Sequence, residues 1–130
     1  MSEEQLRYVR DIYSAMQPFD VDEMGSALAH DIEWNLPDGL PWGGTHHGHE
    51  GIQAINEIFV EHVEGTWADP DELFDVGDRI IVLGRVRGRA RQTGREFEVP
   101  FAHVWALTDG VPSWFRGYFD TAPITSALEA

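Results

Sequence analysis

One histidine is a candidate for chemistry because it interrupts an otherwise apolar strand face. His103 lies within residues 95–107, which alternate between polar and apolar side chains as a half-buried strand does. One interpretation is a core histidine that bonds to a single neighbour such as Tyr13. The other is a general acid or base, or a hydrogen-bond donor to a bound carbonyl group. The sequence leaves both interpretations open.

A second group of candidate residues lies in a short histidine-rich segment. His46, His47 and His49 are followed by Glu50, and imidazole and carboxylate groups are common metal ligands. Their spacing matches no closed zinc site, and the chain contains no cysteine. A loop that leads into a helix explains the segment without a metal, so we expect neither a metal nor a cofactor.

The spacing of apolar side chains predicts the elements that position these residues. Three helices are expected near residues 2–16, 20–28 and 49–63, with a short strand at 31–36 and a loop at 37–48. Strands are expected at 66–75, 79–91, 95–107 and 111–119, separated by turns at 76–78, 93–94 and 109–110. Helices first and an antiparallel meander last predict a single α+β domain over residues 1–130.

The hairpin that contains His103 has a predicted register. If residues 93–94 are the two central residues of a tight turn, Arg89 lies opposite Glu98 and the opposite charges pair on one face. The other face is then apolar except for His103, which lies opposite Gly84. A slip of one residue would mix arginines with aromatic rings, so the pattern specifies which side chains share a face.

The outward face of the same two strands also carries apolar side chains. These are Ile81, Leu83, Ala102, Val104 and Ala106. An exposed apolar patch of this kind is typical of a partner surface, so we expect a two-fold homodimer through the outer sheet face.

Composition excludes several classes of partner. The net charge is −14 and the chain has no lysine, so its field repels nucleic acids and anionic membranes. No uncharged apolar stretch reaches the roughly 18 residues of a membrane span. The acidic N-terminus lacks the pattern of a signal peptide, and we expect a cytoplasmic protein. Five tryptophans and seven phenylalanines suggest a core or cavity lined with rings.

Four segments, taken with the order of the elements, carry a family resemblance. They are His30-Asp31-Ile32-Glu33-Trp34, Gly44-Thr45-His46-His47-Gly48-His49-Glu50-Gly51-Ile52, Thr93-Gly94-Arg95-Glu96-Phe97-Glu98-Val99 and Phe115-Arg116-Gly117-Tyr118-Phe119-Asp120. The chain resembles the SnoaL-like and ketosteroid-isomerase-like branch of the nuclear transport factor two superfamily. The resemblance implies a cone-shaped, curved antiparallel sheet packed against three helices, a pocket between them, and a dimer through the outer sheet face.

The resemblance also indicates where the family carries catalytic groups. The aspartate base of the ketosteroid isomerases falls on Leu36, and their oxyanion hole falls near Tyr13 and on His103. The SnoaL-like cyclases are similar to this chain in carrying a histidine at His103, whereas their partner aspartate falls on Gly117. Each familiar mechanism therefore lacks its base here.

Two other acids are candidates for the missing base. Asp38 lies two residues beyond Leu36, in a loop where an ordinary turn residue is the alternative. Asp120 lies near the family's catalytic region, but together with Pro123 it also shows the pattern of the cap of a short final helix.

These observations lead to two hypotheses about a pocket that binds a small apolar molecule. The expected lining residues are Trp34, Leu36, Trp42, Phe59, Phe101, Trp105 and Phe119. In the first hypothesis the protein is a cofactor-free isomerase, cyclase or dehydratase acting on an apolar carbonyl compound, with His103 polarising oxygen and Tyr13 assisting. In the second it is a non-catalytic domain for small-ligand binding or dimerisation.

Overall fold

Four helices and seven strands form the described part of the chain, which comprises residues 2–16, 21–65 and 68–129 of a computed structural model. The helices are α1 (Ser2–Ser14), α2 (Val21–Ala27), α3 (Gly48–His62) and α4 (Ala122–Leu128). The strands are β1 (Glu33–Leu36), β2 (Gly44–His47), β3 (Val63–Glu64), β4 (Asp69–Asp75), β5 (Ile80–Ala90), β6 (Glu96–Thr108) and β7 (Val111–Phe119). The predicted starts of a helix at residue 20 and of a strand at residue 66 lie outside the described residues.

The first helix forms because its apolar residues recur at helical spacing. Val9, Ile12 and Tyr13 are all buried, as expected for one face of an amphipathic helix, and Met16, just beyond the end of the helix, is buried as well. Acidic residues in its first turn favour the positive end of the helix dipole. This helix packs against β4, which brings Tyr13 into the core beneath the sheet.

The seven strands form one mixed sheet in the order β2-β1-β7-β6-β5-β3, and β4 also pairs with β5. Most neighbours are antiparallel, but β1 pairs with β7 in parallel, with Trp34 opposite Phe115. The expected antiparallel meander is confirmed for β4 to β7, and the parallel pair of β1 with β7 makes the whole sheet mixed. Because β1 and β7 are separated by most of the chain, no local sequence pattern marks their pairing.

Strand β2 lies within the segment expected to be a loop. It pairs with β1, and Trp34 lies opposite His46. Its four residues carry no apolar alternation, so the sequence offers no strand signal. The pairing extends the sheet directly into α3, which begins at Gly48 with a positive φ of 67°.

All four helices share one core with the inner face of the sheet. The buried helix residues include Val9, Ile12, Met24, Ile52, Ile55, Phe59, Ile124 and Ala127, and the buried sheet residues include Val82, Val86, Phe97, Val99, Trp105 and Phe115. The α+β, cone-type architecture expected from the sequence is confirmed, with the final helix α4 as a fourth helix.

The predicted register of the β5–β6 hairpin is wrong by two residues. Arg89 lies opposite Glu96, and Gly84 lies opposite Phe101 rather than His103, which faces Val82. The reason lies in the turn. A two-residue turn ending in glycine requires a positive φ at both central positions, but of residues 93–94 only Gly94 adopts one.

A longer loop replaces the tight turn. Ala90 donates its backbone N–H to the Arg95 carbonyl, and Gly94 donates to the Ala90 carbonyl, so residues 91–94 form a four-residue connection. The next hairpin shows the contrast, because Asp109 and Gly110 both have positive φ and connect the strands directly. Aspartate tolerates that conformation, whereas the β-branched Thr93 resists it. A slip of two residues preserves the faces, so His103 still points inward.

Gly84 marks a close approach of strands rather than room for a ligand. A Cβ atom at this position would lie 2.1 Å from the backbone oxygen of Asp69 and 2.6 Å from the ring of Phe101. Strand β4 shifts register beside it, between Pro70 and Glu72. Glycine here lets β4 cross β5 closely and lets the Phe101 ring lie over the backbone.

Candidate functional site

Three buried side chains form a hydrogen-bonded chain in the core. Tyr13 Oη lies 2.6 Å from His103 Nδ1, and Trp105 Nε1 donates to Tyr13 Oη over 2.9 Å. His103 and Tyr13 are each only 1% exposed, and Trp105 is fully buried. The expected Tyr13–His103 contact is thus present, whereas the bond from Trp105 was not expected from the sequence.

The geometry brings these groups together from distant elements. Tyr13 comes from the inner face of α1, and His103 and Trp105 are alternate residues of β6, so both project to the same side of the sheet. Phe101, the preceding residue on that side, stacks on the His103 ring with centroids 3.7 Å apart. The imidazole is therefore held by a stacked ring on one face and by a hydrogen bond at Nδ1.

Burial keeps His103 and Tyr13, the two titratable side chains of this hydrogen-bonded chain, uncharged at neutral pH. Burial lowers the pKa of His103 well below its ordinary value, because the imidazolium form loses its hydration. Burial also raises the pKa of Tyr13 well above its ordinary value, although the hydrogen bond from Trp105 opposes that change. This part of the core thus contains a neutral imidazole bonded to a neutral phenol.

A narrow interior cleft adjoins the histidine. Its lining residues are Leu36, Trp42, Phe59, Val86, His103 and Phe119. Its volume is about 10 Å³, which is room for about one water molecule. A drug-sized ligand needs a few hundred Å³, so these side chains must move apart before such a ligand can enter.

The cleft lining agrees only in part with the expected set. Leu36, Trp42, Phe59 and Phe119 line it, whereas Trp34, Phe101 and Trp105 pack behind the lining. Trp34 stacks on Phe115 with centroids 3.9 Å apart and meets Trp105 edge to face. Val86 was not on the expected list. Strand parity could have identified it, because it shares the inner face with Val82 and other buried residues of β5.

A larger groove lies beside the cleft, with a volume of about 360 Å³. Its lining residues are Asn35, Leu36, Pro37, Asp38, Gly44, Thr45, Arg116, Gly117, Tyr118 and Phe119. Leu36 and Phe119 line both spaces and so form the wall between them. Asp38 therefore faces the groove, not the cleft that contains His103.

Gly117, the position on which the family resemblance places a partner aspartate, is adjacent to His103. Gly117 lies directly opposite it on β7. A Cβ at Gly117 would be 3.4 Å from Cδ2 of His103 and equally far from side-chain atoms of Leu36 and Phe119. An acid at position 117 would thus reach the imidazole, but glycine provides no such group.

Asp120 lies at the start of the final helix. Its Oδ1 accepts the backbone N–H of Ala122 over 3.0 Å, and the residue is exposed. The carboxylate therefore satisfies a free N–H at the first turn of α4. The structure places Asp120 outside the lining of both the cleft and the groove.

The histidine-rich segment is held by local contacts. His46 Nε2 lies 3.0 Å from the Gly43 carbonyl, and His49 Nε2 lies 3.4 Å from the Leu28 carbonyl. His47 Nε2 is 3.8 Å from Glu33 at an exposed edge. Within residues 2–16, 21–65 and 68–129, no group of three or more histidine, aspartate or glutamate side chains is placed to hold a metal ion.

The outer sheet face combines exposed apolar side chains with a polar network. Phe74, Leu83 and Tyr118 are 44%, 36% and 51% exposed. Beside them, Glu33 accepts hydrogen bonds from Asn35 Nδ2 and Trp114 Nε1, each over 3.0 Å. The bond from Asn35 is the main cause that lowers the pKa of Glu33.

Comparison with known proteins identifies the family. Residues 9–111 match the SnoaL-like domain, and the chain belongs to this family, whose fold is of the NTF2-like type. An NTF2-like protein of unknown function from Burkholderia pseudomallei is 36% identical, with a TM-score of 0.88 over 97% of this chain and 98% of that one. An NTF2-like protein from Burkholderia thailandensis is 31% identical over the same shares, also with a TM-score of 0.88.

A third similar structure contains a small molecule. TerC, co-crystallised with polyporic acid, is 26% identical, with a TM-score of 0.87 over 97% of this chain and 98% of its own. Among proteins of curated function, none matches this chain. In the described part of the chain, no helix is long and apolar enough to cross a membrane.

Proposed function

We propose that this protein binds a small, mostly apolar molecule with a carbonyl-type oxygen, and that His103 donates a hydrogen bond to that oxygen. The observation that carries the proposal is the composition of the interior cleft. His103 is the only ionisable side chain among the described residues that line it, and the others are aliphatic or aromatic. An apolar site with one convergent polar group is the usual composition of a small-ligand pocket.

The absence of a nearby carboxylate favours binding over base catalysis. Removal of a proton from carbon requires a base within hydrogen-bond reach of that proton. Leu36 and Gly117 occupy the positions where related enzymes carry acids, and no carboxylate is among the described residues that line the cleft. His103 alone polarises an oxygen, which orients a ligand without completing an isomerisation or cyclisation.

The ligand enters from the neighbouring groove. The groove has the volume of a small-ligand site, the cleft does not, and Leu36 and Phe119 separate the two. Rotation of these two side chains joins the spaces and brings His103 within reach. The complex of the related TerC with polyporic acid supports a small-molecule role for this fold.

One observation favours a catalytic alternative, in which the protein is a cofactor-free isomerase, cyclase or dehydratase. Asp38 lines the groove beside the same Leu36 and Phe119 wall. When the wall opens, the Asp38 carboxylate faces a ligand whose oxygen is held by His103. In that case Asp38→Asn abolishes turnover of an apolar ketone while leaving its affinity unchanged. The catalytic alternative is contradicted if the unmodified protein shows no turnover and Asp38→Asn only lowers the affinity.

We also propose that the protein is a homodimer through the outer sheet face. Phe74, Leu83 and Tyr118 expose a large part of their area there, and exposed apolar patches mark partner surfaces. Light scattering at micromolar concentration should give twice the monomer mass, and Leu83→Glu should give a folded monomer. A monomeric mass for the unmodified protein rejects the proposal.

The binding proposal is tested with two probes of matched shape, acetophenone and ethylbenzene. A net hydrogen bond is worth about 1 kcal/mol, so acetophenone should bind about fivefold more tightly. His103→Phe, which keeps a ring in the cleft, should remove that preference and leave ethylbenzene binding unchanged. NMR titration gives both affinities. Equal affinities of the two probes for the unmodified protein, or an unchanged preference in His103→Phe, refutes the proposal.

A further inference from the structure

The hydrogen-bonded chain in the core has a direction, because its first member can only donate. The indole N–H of Trp105 is a donor without acceptor capacity, so Tyr13 Oη must accept it over 2.9 Å. The phenol still has one proton to donate. The partner that the structure provides for it is His103 Nδ1, 2.6 Å away.

The opposite direction leaves a buried group without a partner. If His103 carried its proton on Nδ1, Tyr13 Oη would accept from both neighbours, and its own proton would have no acceptor. Among the described residues, the hydrogen bonds of Tyr13 run only to Trp105 and His103. An unsatisfied buried hydroxyl costs about 1–3 kcal/mol, which corresponds to a bias of roughly fivefold to 150-fold against this arrangement.

The other edge of the imidazole faces the cleft. Cδ2, on the ring edge away from Nδ1, lies at the position where Gly117, Leu36 and Phe119 meet, and Leu36 and Phe119 line the cleft. Among the described residues, the hydrogen bonds of His103 involve only Nδ1. Nε2 is therefore the ring nitrogen available to a ligand.

We propose that Tyr13 is a positioning residue that fixes His103 as the neutral tautomer with its proton on Nε2, while Trp105 Nε1 occupies an acceptor site of the Tyr13 hydroxyl. His103 then presents its Nε2–H to the cleft as a hydrogen-bond donor and offers a ligand no acceptor there. Ligands that offer an acceptor, such as ketones and quinones, are selected, and ammonium groups are rejected because both sides would donate. The assignment of the tautomer depends on the core geometry alone, whereas this selectivity for ligands rests on the proposed binding function.

Burial supports the neutrality of the ring, which is one part of this assignment. Because burial lowers the pKa of His103, the imidazole is neutral and carries a single proton at physiological pH. Gly117, which lies opposite His103 on β7, has no side chain and so provides no countercharge. A neutral imidazole has one donor nitrogen and one acceptor nitrogen, and Tyr13 determines which is which.

Nitrogen-15 NMR of the imidazole tests the tautomer in the whole protein without any ligand. In the unmodified protein, His103 Nε2 should resonate as a protonated nitrogen and Nδ1 as an unprotonated one. The inference is overturned if Nδ1 is the protonated nitrogen, or if both are protonated at pH 7. This measurement needs no variant, so it remains decisive even when a core substitution prevents folding.

The role of Tyr13 is tested by Tyr13→Phe, which keeps an aromatic ring and removes the hydroxyl that donates to Nδ1. A proton on Nδ1 then no longer leaves a phenol proton without an acceptor, so the population of that tautomer should rise. Tyr8→Phe is the matched control, because its hydroxyl bonds to the Ala27 carbonyl, and it should leave the tautomer unchanged. A tautomer population in folded Tyr13→Phe equal to that of the unmodified protein overturns the positioning role.

A third probe separates this inference from the binding proposal. Protonated 1-phenylethylamine has nearly the shape of acetophenone but offers only donors, so it should bind at least tenfold more weakly. If the Nε2 tautomer is observed and acetophenone does not bind, the binding proposal fails and the tautomer assignment stands. If acetophenone binds and the amine binds equally well, the selectivity fails although the pocket exists.

Discussion

Removal of one hydroxyl group from the core tests whether the buried chain of hydrogen bonds stabilises the fold. Tyr13→Phe deletes the Oη atom that bonds both His103 Nδ1 and Trp105 Nε1 and leaves the ring in place. Two buried polar atoms then lack a partner. Since each such atom costs about 1–3 kcal/mol, we expect the free energy of unfolding to fall by about 2–4 kcal/mol after partial relaxation.

The same helix offers a control with the same chemical change. Tyr8 donates its hydroxyl to the Ala27 carbonyl over 2.7 Å, but Tyr8 is 37% exposed, so water replaces the lost bond. Tyr8→Phe should therefore cost less than about 1 kcal/mol. Urea unfolding followed by circular dichroism measures both. If Tyr13→Phe destabilises by less than about 1 kcal/mol, or no more than Tyr8→Phe does, the buried chain is not the stabilising unit described here.

Two further predictions concern the same region. Because burial lowers the pKa of His103, the unfolded chain binds a proton below about pH 6.5 that the folded protein does not, so stability falls as pH decreases, by up to about 1.4 kcal/mol per pH unit. In His103→Phe, the free energy of unfolding in urea should fall less steeply between pH 7 and pH 5 than in the unmodified protein. Equal slopes for the two proteins would contradict this prediction. Gly117→Ala should stay within about 1 kcal/mol of the unmodified protein, whereas Gly84→Ala, whose Cβ would lie 2.1 Å from a backbone oxygen, should lose about 1–3 kcal/mol. Equal thermal unfolding midpoints for the two variants would contradict that contrast.

The sequence predicts faces of strands more securely than it predicts their registers. Alternation placed His103 on the inner face of β6, and the structure confirms it. The register itself depended on Thr93, whose backbone does not adopt the positive φ that a tight turn requires. Since a shift of two residues keeps every side chain on its face, the core was predictable although the partner of each residue was not.

Pairings between distant segments were not predictable from local patterns. Strand β2 has no apolar alternation, and the parallel pairing of β1 with β7 joins segments from opposite ends of the domain. Both depend on the closed curvature of the whole sheet. They matter for the proposed function because residues of β1, β2 and β7 line the groove.

In the candidate site, the contact between Tyr13 and His103 was predictable from the sequence, whereas the contact of Trp105 with Tyr13 was not. The contact between Tyr13 and His103 was expected as one of two interpretations, and it is present. Trp105 was expected to line a pocket, but its indole bonds to Tyr13 instead. Sequence spacing shows that Trp105 and His103 share a face, yet the direction of a side-chain N–H depends on what α1 places beneath it.

The missing acids and the neutral histidine are connected by one geometric fact. A carboxylate at position 117 would lie beside His103 and would stabilise a charged imidazolium, which favours proton transfer. With glycine there, burial is the main influence on the pKa of His103, and the ring stays neutral. In the proposed function, glycine at position 117 therefore matters in two ways. It supplies no base, and it leaves His103 as a neutral hydrogen-bond donor to a ligand oxygen instead of a member of an ion pair.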